Sequence, residues 1–599
     1  MEFKNFEKEF FKDLNILNHN CINIIENNKD LIQNNLGEQG NINNIESFIN
    51  GINECILLQA SSNDFNLFEQ ILRHSFLATV FEAFKKSDIL IRVCNNNNGK
   101  CKDLLLWLLT LNIDYCVQDN NGMTALMYAV KNPNLLFIVK DIIKNGKECL
   151  KIVDNHGENA IFHALQNNEA LEEIVKTDID INQKNHKGET VLIYCCQHDI
   201  SSAMPYLMNR PDIDVNIVDN KNWTAAMYLA EKAKNTELRS LNLRCCNYDY
   251  VNEKNESVLS IIIQKLYEPN QSKSYDTTQT ELISNYLKIL MALVNFNCDF
   301  NIPVDEDGNT ALMVFMIVND FYSFYYVINN SENYDLSVRN KYGENASSLS
   351  VKIENYHHYY KYMINHPTFD YKYIDPQTNN SMLMLCTLSQ ATFIKDILTK
   401  KNINSISSIN NKKENALILA TKVNNELAVK ELLEHGININ QQDDLGNTAL
   451  HYAIETKNLN LTHALLSDCA DVNIKNNEGK SSLDLANEIN DESIKNLINH
   501  PPSFDYNTYI NSHSENNNNR NSHDSTTCIM ETSQEAKAAM EYLYLNISPI
   551  YSNFEISDPF LNIEKETYAH RISDITDTNT EIPSCHWKPK ININSNIAL

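Results

Sequence analysis

The chain from residue 119 to residue 500 alternates short apolar runs with short polar segments rich in Asn, Asp and Gly. Residues 443–446 (Asp-Asp-Leu-Gly) are typical of a tight turn, and Thr448 follows as a residue that caps helix N-termini. Apolar residues then recur at helical spacing over residues 449–453 and, after a polar break, over residues 461–466. This block therefore predicts a pair of short helices that follow a turn.

The turn recurs along the chain with a nearly constant period. One position in each turn, called the tip below, carries Gly or a residue in its place: Gly122, Gly157, Gly188, Asn222, Asn255, Gly308, Gly343, Asn379, Lys413, Gly446 and Gly479. Successive tips lie 35, 31, 34, 33, 53, 35, 36, 34, 33 and 33 residues apart. This period predicts an array of repeats, and the interval of 53 residues predicts an insertion between two helices that projects as a surface loop.

The repeated block resembles the ankyrin repeat, whose pattern joins a D-x-x-G turn, a T-P-L-H-x-A helix start, paired leucines and a D-x-N exit. The residues that carry the resemblance are Asp443, Gly446, Thr448, Leu450, His451, Ala453, Leu465, Leu466, Asp471 and Asn473. The resemblance implies an all-α ankyrin-repeat solenoid, built of helix-turn-helix repeats with hairpin tips. It also implies that His451 makes hydrogen bonds within its repeat. Ala449 replaces the usual proline but is a good helix former, so the fold prediction stands.

The pattern divides the chain into four segments. They are a helical lead-in at 1–50, two degenerate ankyrin-like repeats at 51–118, the repeat array at 119–500 and a mostly flexible tail at 501–599. The degenerate copies place their tips at Asn53 and Ser87, which makes eleven clear and two degenerate repeats. Residues 511–527 have no apolar content to bury and predict a disordered linker.

The charge balance narrows the class of partner. Lys and Arg number 50 and Asp and Glu number 77, a formal net charge of −27, which argues against binding of nucleic-acid phosphates and against an acidic partner. No uninterrupted apolar stretch reaches the about 18 residues of a membrane span. The 15 cysteines are scattered at core-like positions and are predicted to be reduced. We expect a monomeric protein of the cytoplasm or nucleus.

The sequence lacks the common catalytic motifs. It has no phosphate-binding loop, nucleophile elbow, H-E-x-x-H or paired C-x-x-C motif. His357-His358 and Cys585-His586 come nearest to a metal cluster, but each lacks correctly spaced partners. A catalytic domain within one terminus is the remaining enzyme alternative, and the roughly 50 and 100 residues at the two ends are too few for most catalytic folds. We predict no enzyme activity, cofactor or metal.

The resemblance implies a protein-binding scaffold or adaptor that uses the concave face and the hairpin tips of the array. It does not identify the partner. An alternative is a substrate-recruiting ubiquitin-ligase adaptor or a host-directed effector, which would require a docking box within residues 528–599. We find no such box in that segment.

The candidate partner-binding residues lie at the tips, because tips have no obvious packing role. They are Asn120, Asn121, Met123, His156, Glu158, Lys187, Glu189, Trp223, Asn309 and Asn447. Trp223 follows its tip directly, a position expected to point toward solvent, and Trp is enriched at binding hot spots. The alternative is that Trp223 folds back onto Tyr194 or the adjacent tip.

A stripe of aromatic residues recurs within the first helices. Tyr128, Tyr194, Tyr228 and Tyr452 share one position, which holds His163 in another repeat. The stripe is either a partner-binding ladder or core filling. We favour core filling, because the family usually has a packed leucine at this position.

Overall fold

The computed structural model describes residues 2–62, 64–96, 101–267, 277–353, 356–389, 394–399, 404–489 and 491–500. These residues form α-helices, short 3-10 helices and turns. The β-structure among them is limited to three isolated bridges, Val218 with Thr224, Ile374 with Ser381 and Lys475 with Ser481, each across the base of a turn. The all-α prediction is confirmed. No helix in these ranges is long and apolar enough to cross a membrane.

The α-helices in these ranges are numbered in chain order. They are α1 Phe3–Asn15, α2 Asn20–Asn27, α3 Lys29–Leu36, α4 Ile42–Leu58, α5 Asn66–Leu72, α6 Ala78–Lys85, α7 Ile89–Asn95, α8 Lys102–Leu109, α9 Ala125–Ala129, α10 Leu136–Asn145, α11 Ala160–Ala164, α12 Asn168–Val175, α13 Val191–His198, α14 Met204–Met208, α15 Ala225–Glu231, α16 Asn235–Leu241, α17 Val258–Tyr267, α18 Thr277–Asn295, α19 Ala311–Ile317, α20 Phe321–Asn330, α21 Ala346–Lys352, α22 His357–Met363, α23 Met382–Leu388, α24 Ile394–Thr399, α25 Ala416–Lys422, α26 Glu426–Glu434, α27 Ala449–Glu455, α28 Leu459–Ser467, α29 Ser482–Glu488 and α30 Glu492–Asn499.

The chain forms two compact units. Unit 1 contains the described residues of Met1–Tyr267 and Ser284–Val304. Its first helices pack side by side, α7 on α9, α9 on α11, α13 on α15 and α15 on α17, and its second helices form another layer, α10 on α12, α12 on α14 and α14 on α16. At the N-terminus Phe10 of α1 lies 5.1 Å from Phe48 of α4, ring centre to ring centre. Residues 2–50 contain α1 to α3 and the first part of α4.

Unit 2 contains the described residues of Glu268–Ile283 and Asp305–Leu599. It has the same two layers. First helices α19, α21, α23, α25, α27 and α29 pack each on the next, and second helices α24, α26, α28 and α30 do likewise. Each first helix is short, 7 residues in α25 and α27, so its stability comes from burial against its neighbours and from its cap.

The caps and tips have the predicted chemistry. The hydroxyls of Thr124, Thr190 and Thr224 accept hydrogen bonds from the third backbone N–H of their helices. All eleven tips have a left-handed φ, between 56° at Lys413 and 80° at Gly157. Gly and Asn suit this position because they adopt a left-handed backbone at little cost.

His451 has the role that the resemblance implies. Its side chain is completely buried, its Nδ1 lies 2.8 Å from Thr448 Oγ1, and its Nε2 lies 3.3 Å from the backbone oxygen of Lys480 in the next turn. It therefore links two successive repeats.

The predicted tip at Asn53 is wrong. Asn53 lies inside α4, which runs unbroken for 17 residues because Phe48, Ile52 and Ile56 continue one apolar face through it. The second degenerate copy has its two helices in α7 and α8, but Ser87 lies in a turn without the left-handed backbone of the other tips.

The prediction for the cysteines needs one correction. Most of the described cysteines are buried and all of them are free, and burial raises the pKa of Cys94 and Cys195 to about 12. Cys245 and Cys469, however, are exposed.

Several predictions lie outside the described residues. They concern residues 268–276 of the predicted loop and the whole tail at 501–599, with its linker and Cys585-His586.

Candidate partner-binding site at the hairpin tips

Each turn is held by its first residue, an Asp or Asn that we call the turn-start residue. In most turns its side-chain oxygen accepts hydrogen bonds from the backbone N–H groups two and four positions later, whereas Asp375 accepts them from the groups two and three positions later. Asp119 Oδ1 does so at 2.8 Å from Asn121 and 2.9 Å from Met123, and Asp219 repeats this with Trp223 at 2.9 Å. This side chain replaces missing backbone partners and fixes the direction of the residue after the tip, called the post-tip residue below.

The candidate residues therefore separate into two groups. The candidates that precede the tip are exposed: Asn120, Asn121, His156 and Lys187. Four post-tip candidates are buried, with exposed fractions of 6%, 2%, 4% and 6%: Met123, Glu189, Asn309 and Asn447. Trp223 and Glu158, also post-tip residues, are half-buried. The expectation that the post-tip position points toward solvent is wrong. The turn-start carboxylate or amide binds the backbone N–H of the post-tip residue, and the post-tip side chain then packs between neighbouring turns.

The buried post-tip asparagines join neighbouring turns. Asn340 Nδ2 donates to Asn309 Oδ1 at 2.9 Å, and Asn476 Nδ2 donates to Asn447 Oδ1 at 2.9 Å. Asn309 and Asn447 thus stabilise the stack and are not free to contact a partner.

Trp223 packs within unit 1. Its indole Nε1 donates to Glu256 Oε2 of the next turn at 2.9 Å, and its ring lies 5.0 Å from that of Tyr228. The side chain folds onto the adjacent tip, as the packing alternative expects, and its aromatic neighbour is Tyr228 rather than Tyr194.

The tyrosine stripe belongs to the turns. The hydroxyl of Tyr128 donates to Asp119 Oδ2 at 2.7 Å, and that of Tyr228 donates to Asp219 Oδ2 at 2.6 Å. Tyr452 makes the same bond to Asp443. A tyrosine nine residues after a turn-start Asp therefore satisfies the second carboxylate oxygen. This constant spacing is a signal in the sequence from which the pairing could have been predicted, whereas the stripe by itself suggested only core filling or binding.

In three of the turns that start with Asn, the post-tip residue of the same turn supplies the partner. Asn185 Nδ2 donates to Glu189 Oε2 at 2.9 Å, and Asn252 Nδ2 donates to Glu256 Oε2 at 2.7 Å. In unit 2, Asn410 bonds to Glu414 in the same way, at 2.7 Å. The amides of Asn340 and Asn476 donate to the preceding turn, as described above.

Comparisons with known proteins agree with this geometry. The family model for ankyrin repeats (3 copies) matches residues 90–185, 132–219 and 383–476. An ankyrin repeat protein of Acanthamoeba polyphaga mimivirus is 24% identical over 412 residues, covering 65% of this chain and 48% of that protein. This chain is an ankyrin repeat protein.

Two further relatives of this ankyrin repeat protein align over shorter stretches. A Fowlpox virus ankyrin repeat protein is 37% identical over 123 residues, 18% of this chain and 23% of its own length. A Plasmodium falciparum protein named as an E3 ubiquitin-protein ligase is 25% identical over 273 residues, 42% of this chain and 2% of its own length. The chain thus spans about half or less of the relatives it matches.

The ankyrin repeats of unit 2 neutralise their post-tip glutamates. Lys352 Nζ lies 2.8 Å from Glu344 and 2.7 Å from the turn-start Asp375 of the next repeat. Lys422 pairs in the same way with Glu414 and, at 3.2 Å, with Asp443. Each lysine lies eight residues after its glutamate. We call these residues the ion-pair row.

The ankyrin repeats of unit 1 have glutamine at the position of those lysines. Glu158, Glu189 and Glu256, called the carboxylate row, are followed eight residues later by Gln166, Gln197 and Gln264. Within the described ranges, no Lys or Arg nitrogen lies within 4.0 Å of these three carboxylates.

Two carboxylates of this row, Glu158 and Glu189, share the amide of Asn185, and the third is held by Trp223. The amide of Asn185 contacts Glu189 at 2.9 Å and Glu158 at 3.4 Å, and Trp223 contacts Glu256. Burial, with the charges of Asp154 and Glu189, raises the pKa of Glu158. Burial together with Glu158 and Glu189 also raises the pKa of Tyr194. The carboxylates of this row thus have hydrogen-bond partners but no Lys or Arg ion pair among the described residues.

Proposed function

We propose that this ankyrin repeat protein is a scaffold or adaptor that binds a partner protein at unit 1, and that the partner presents a Lys- or Arg-rich segment. The observation that carries the proposal is a difference between the units. The carboxylate row of unit 1 has no lysine partners among the described residues, whereas the glutamates at the same repeat positions of unit 2 are paired with lysines.

Electrostatic complementarity supports this class of partner. Glu158 and Glu256 are half-buried and Glu189 is buried, so these carboxylates have given up part or most of their hydration, and a cation of a partner would restore the lost interaction. The adjacent exposed tip residues Asn120, Asn121 and His156 offer polar groups at the rim of such a contact. Lys187 and Lys221 also lie in these turns. Their repulsion of Lys and Arg side chains would direct the basic segment toward the carboxylate row.

The test is peptide display against the intact chain in a buffer with a metal chelator. We expect the selected peptides to be enriched in Lys and Arg. A variant with Glu158→Gln, Glu189→Gln and Glu256→Gln should lose most of their binding, since each rim-to-core charge contributes about 1 kcal/mol.

The matched control carries Glu344→Gln and Glu414→Gln, which lowers the negative charge in the ion-pair row instead. It should bind the same peptides as the natural chain. Selected peptides without basic residues, or equal loss in both variants, would refute a partner-specific carboxylate row.

Substrate recruitment for a ubiquitin ligase is the second candidate. The name of the Plasmodium relative supports it, over 42% of this chain. Affinity purification of the intact chain beside a version that ends at Asn499 tests it. Ligase subunits should be retained by the intact chain, and their absence from both samples would count against this role.

A further inference from the structure

One turn of unit 1 carries a set of side chains that resembles a metal site. Asp154, Glu158 and His163 each place one ligand atom so that all three atoms lie within 4.8 Å of one another. His163 Nε2 lies 3.0 Å from Asp154 Oδ2. We propose that these three residues bind a divalent transition-metal ion of the zinc class, a site additional to the proposed protein-binding function.

The distances suit such an ion. Zinc binds imidazole nitrogen and carboxylate oxygen at about 2.0–2.2 Å, usually with four ligands in a tetrahedron. Ligand atoms on one such ion are separated by roughly 3.4 Å by tetrahedral geometry. The three atoms here, between 3.0 Å and 4.8 Å apart, need only small side-chain rotations to reach a common ion.

The same turn holds a residue that could supply a fourth ligand. His156 is exposed, two residues after Asp154. Rotation of this one exposed side chain would complete a set of two imidazoles and two carboxylates, and a water molecule could take its place.

The carboxylate of Asp154 is oriented for this role. Asp154 Oδ1 is held by the backbone N–H groups of His156 and Glu158 at 2.8 and 3.0 Å. This leaves Asp154 Oδ2 directed toward His163, at 3.0 Å from its Nε2.

The fold alone does not require histidine at this position. Tyr128 and Tyr228 make the equivalent hydrogen bond to their own turn-start aspartates, at 2.7 and 2.6 Å. His163→Tyr should therefore preserve the turn and remove a metal ligand. This substitution separates a structural role from a metal-binding one.

The experiment measures Zn²⁺ bound by the intact, chelator-treated chain in competition with a chromophoric indicator, and repeats the titration with Co²⁺ absorption. The chain has 17 His and 15 Cys, so the readout is the difference between variants. We expect His163→Tyr and Glu158→Gln to lose one equivalent of bound metal each, and the band of four-coordinate Co²⁺ with it. His435→Tyr, which removes an exposed histidine of unit 2, should lose neither.

Circular dichroism checks that His163→Tyr remains folded, and Glu158→Gln serves as the independent variant if it does not. Equal metal content in all four proteins would mean an adventitious ion only and would overturn the proposal. Because the peptide test is done with chelator present, either proposal can fail without the other.

Discussion

Units 1 and 2 use the same repeat and handle its buried charge in opposite ways. In unit 2 the lysine at the end of the first helix pairs with two carboxylates, one in its own turn and one in the next. Lys422 does so with Glu414 and Asp443. In unit 1 the same position is glutamine, so the carboxylate of Glu189 keeps only the hydrogen bond from the amide of Asn185, a bond that Glu414 also receives from Asn410. One chain thus contains post-tip glutamates that are paired with lysine and others that have no Lys or Arg nitrogen within 4.0 Å among the described residues.

The largest expected effect is the loss of a shared cation. Lys422→Met should destabilise unit 2 by about 3 kcal/mol, because it leaves Glu414 and Asp443 facing each other without a counter-charge. Both acidic side chains are almost buried, with exposed fractions of 6% and 3%. Hydrogen exchange of peptides from α25 and α27 measures the change.

The control for Lys422 is Lys430→Met. Lys430 is 72% exposed and 3.9 Å from Glu434, and such surface pairs contribute little. If both substitutions had the same small effect, the ion-pair row would not be a stabilising feature of unit 2.

The second effect is a dependence on acid in unit 2. Burial would raise the pKa of Asp375, but hydrogen bonds from Lys352 and Thr378 outweigh it and lower the pKa to about 2. Its stabilisation of about 2 kcal/mol is therefore present above its unfolded pKa near 3.8 and is lost as pH falls toward 2. Asp375→Asn should flatten the acid dependence of hydrogen exchange in α21 and α23, and an unchanged profile would contradict the assignment.

The third effect concerns Trp223. Trp223→Ala should lower the stability of unit 1 by roughly 2 kcal/mol, because it removes the contact with Tyr228 and the hydrogen bond to Glu256. Trp223→Phe, which keeps a ring against Tyr228, should lose about half as much. Thermal melts followed by circular dichroism give both values. Unchanged stability with weaker partner binding would instead restore Trp223 as a binding residue.

The smallest effect has the opposite sign of pH dependence. Because burial raises the pKa of Glu158, its folded form binds a proton more tightly than the unfolded chain does. The ionised carboxylate of Glu158 therefore lowers the stability of unit 1 once the pH rises above the pKa of the unfolded state, near 4.5. Glu158→Gln should stabilise unit 1 by about 0.5 kcal/mol at neutral pH, after screening by solvent. Urea titrations at pH 4 and 7 would show no such difference if the row were compensated.

Much of the fold could be predicted from local signals. A Gly or Asn tip, a capping Thr and a short apolar helix depend on neighbouring residues only, so the turns around Gly122 and Asn222 were located correctly. Asn53 failed because the same local signals are weak there, and the apolar face of α4 continues through it.

The candidate site was predicted less well, because it depends on contacts between distant positions. The depth of Met123 is set by the carboxylate of Asp119, and the pairing of Glu344 with Lys352 needs a full helix between them. The hydrogen bond from the post-tip N–H to the turn-start side chain recurs along the chain, and the pairing of a post-tip glutamate with a lysine eight residues later recurs in unit 2. Comparing turn-start, post-tip and helix-end residues across repeats would reveal them without coordinates.

The sharpest test of the open carboxylate row gives unit 1 the cation that unit 2 possesses. Gln197→Lys places a lysine eight residues after Glu189, and Lys352→Gln is the matched change in unit 2. The Kd of one display-selected basic peptide is measured by fluorescence polarisation against both variants and the natural chain. We predict weaker binding to Gln197→Lys, by about tenfold, and unchanged binding to Lys352→Gln. Unchanged binding to Gln197→Lys, or equal weakening in both variants, would contradict a row that is kept open for a basic partner.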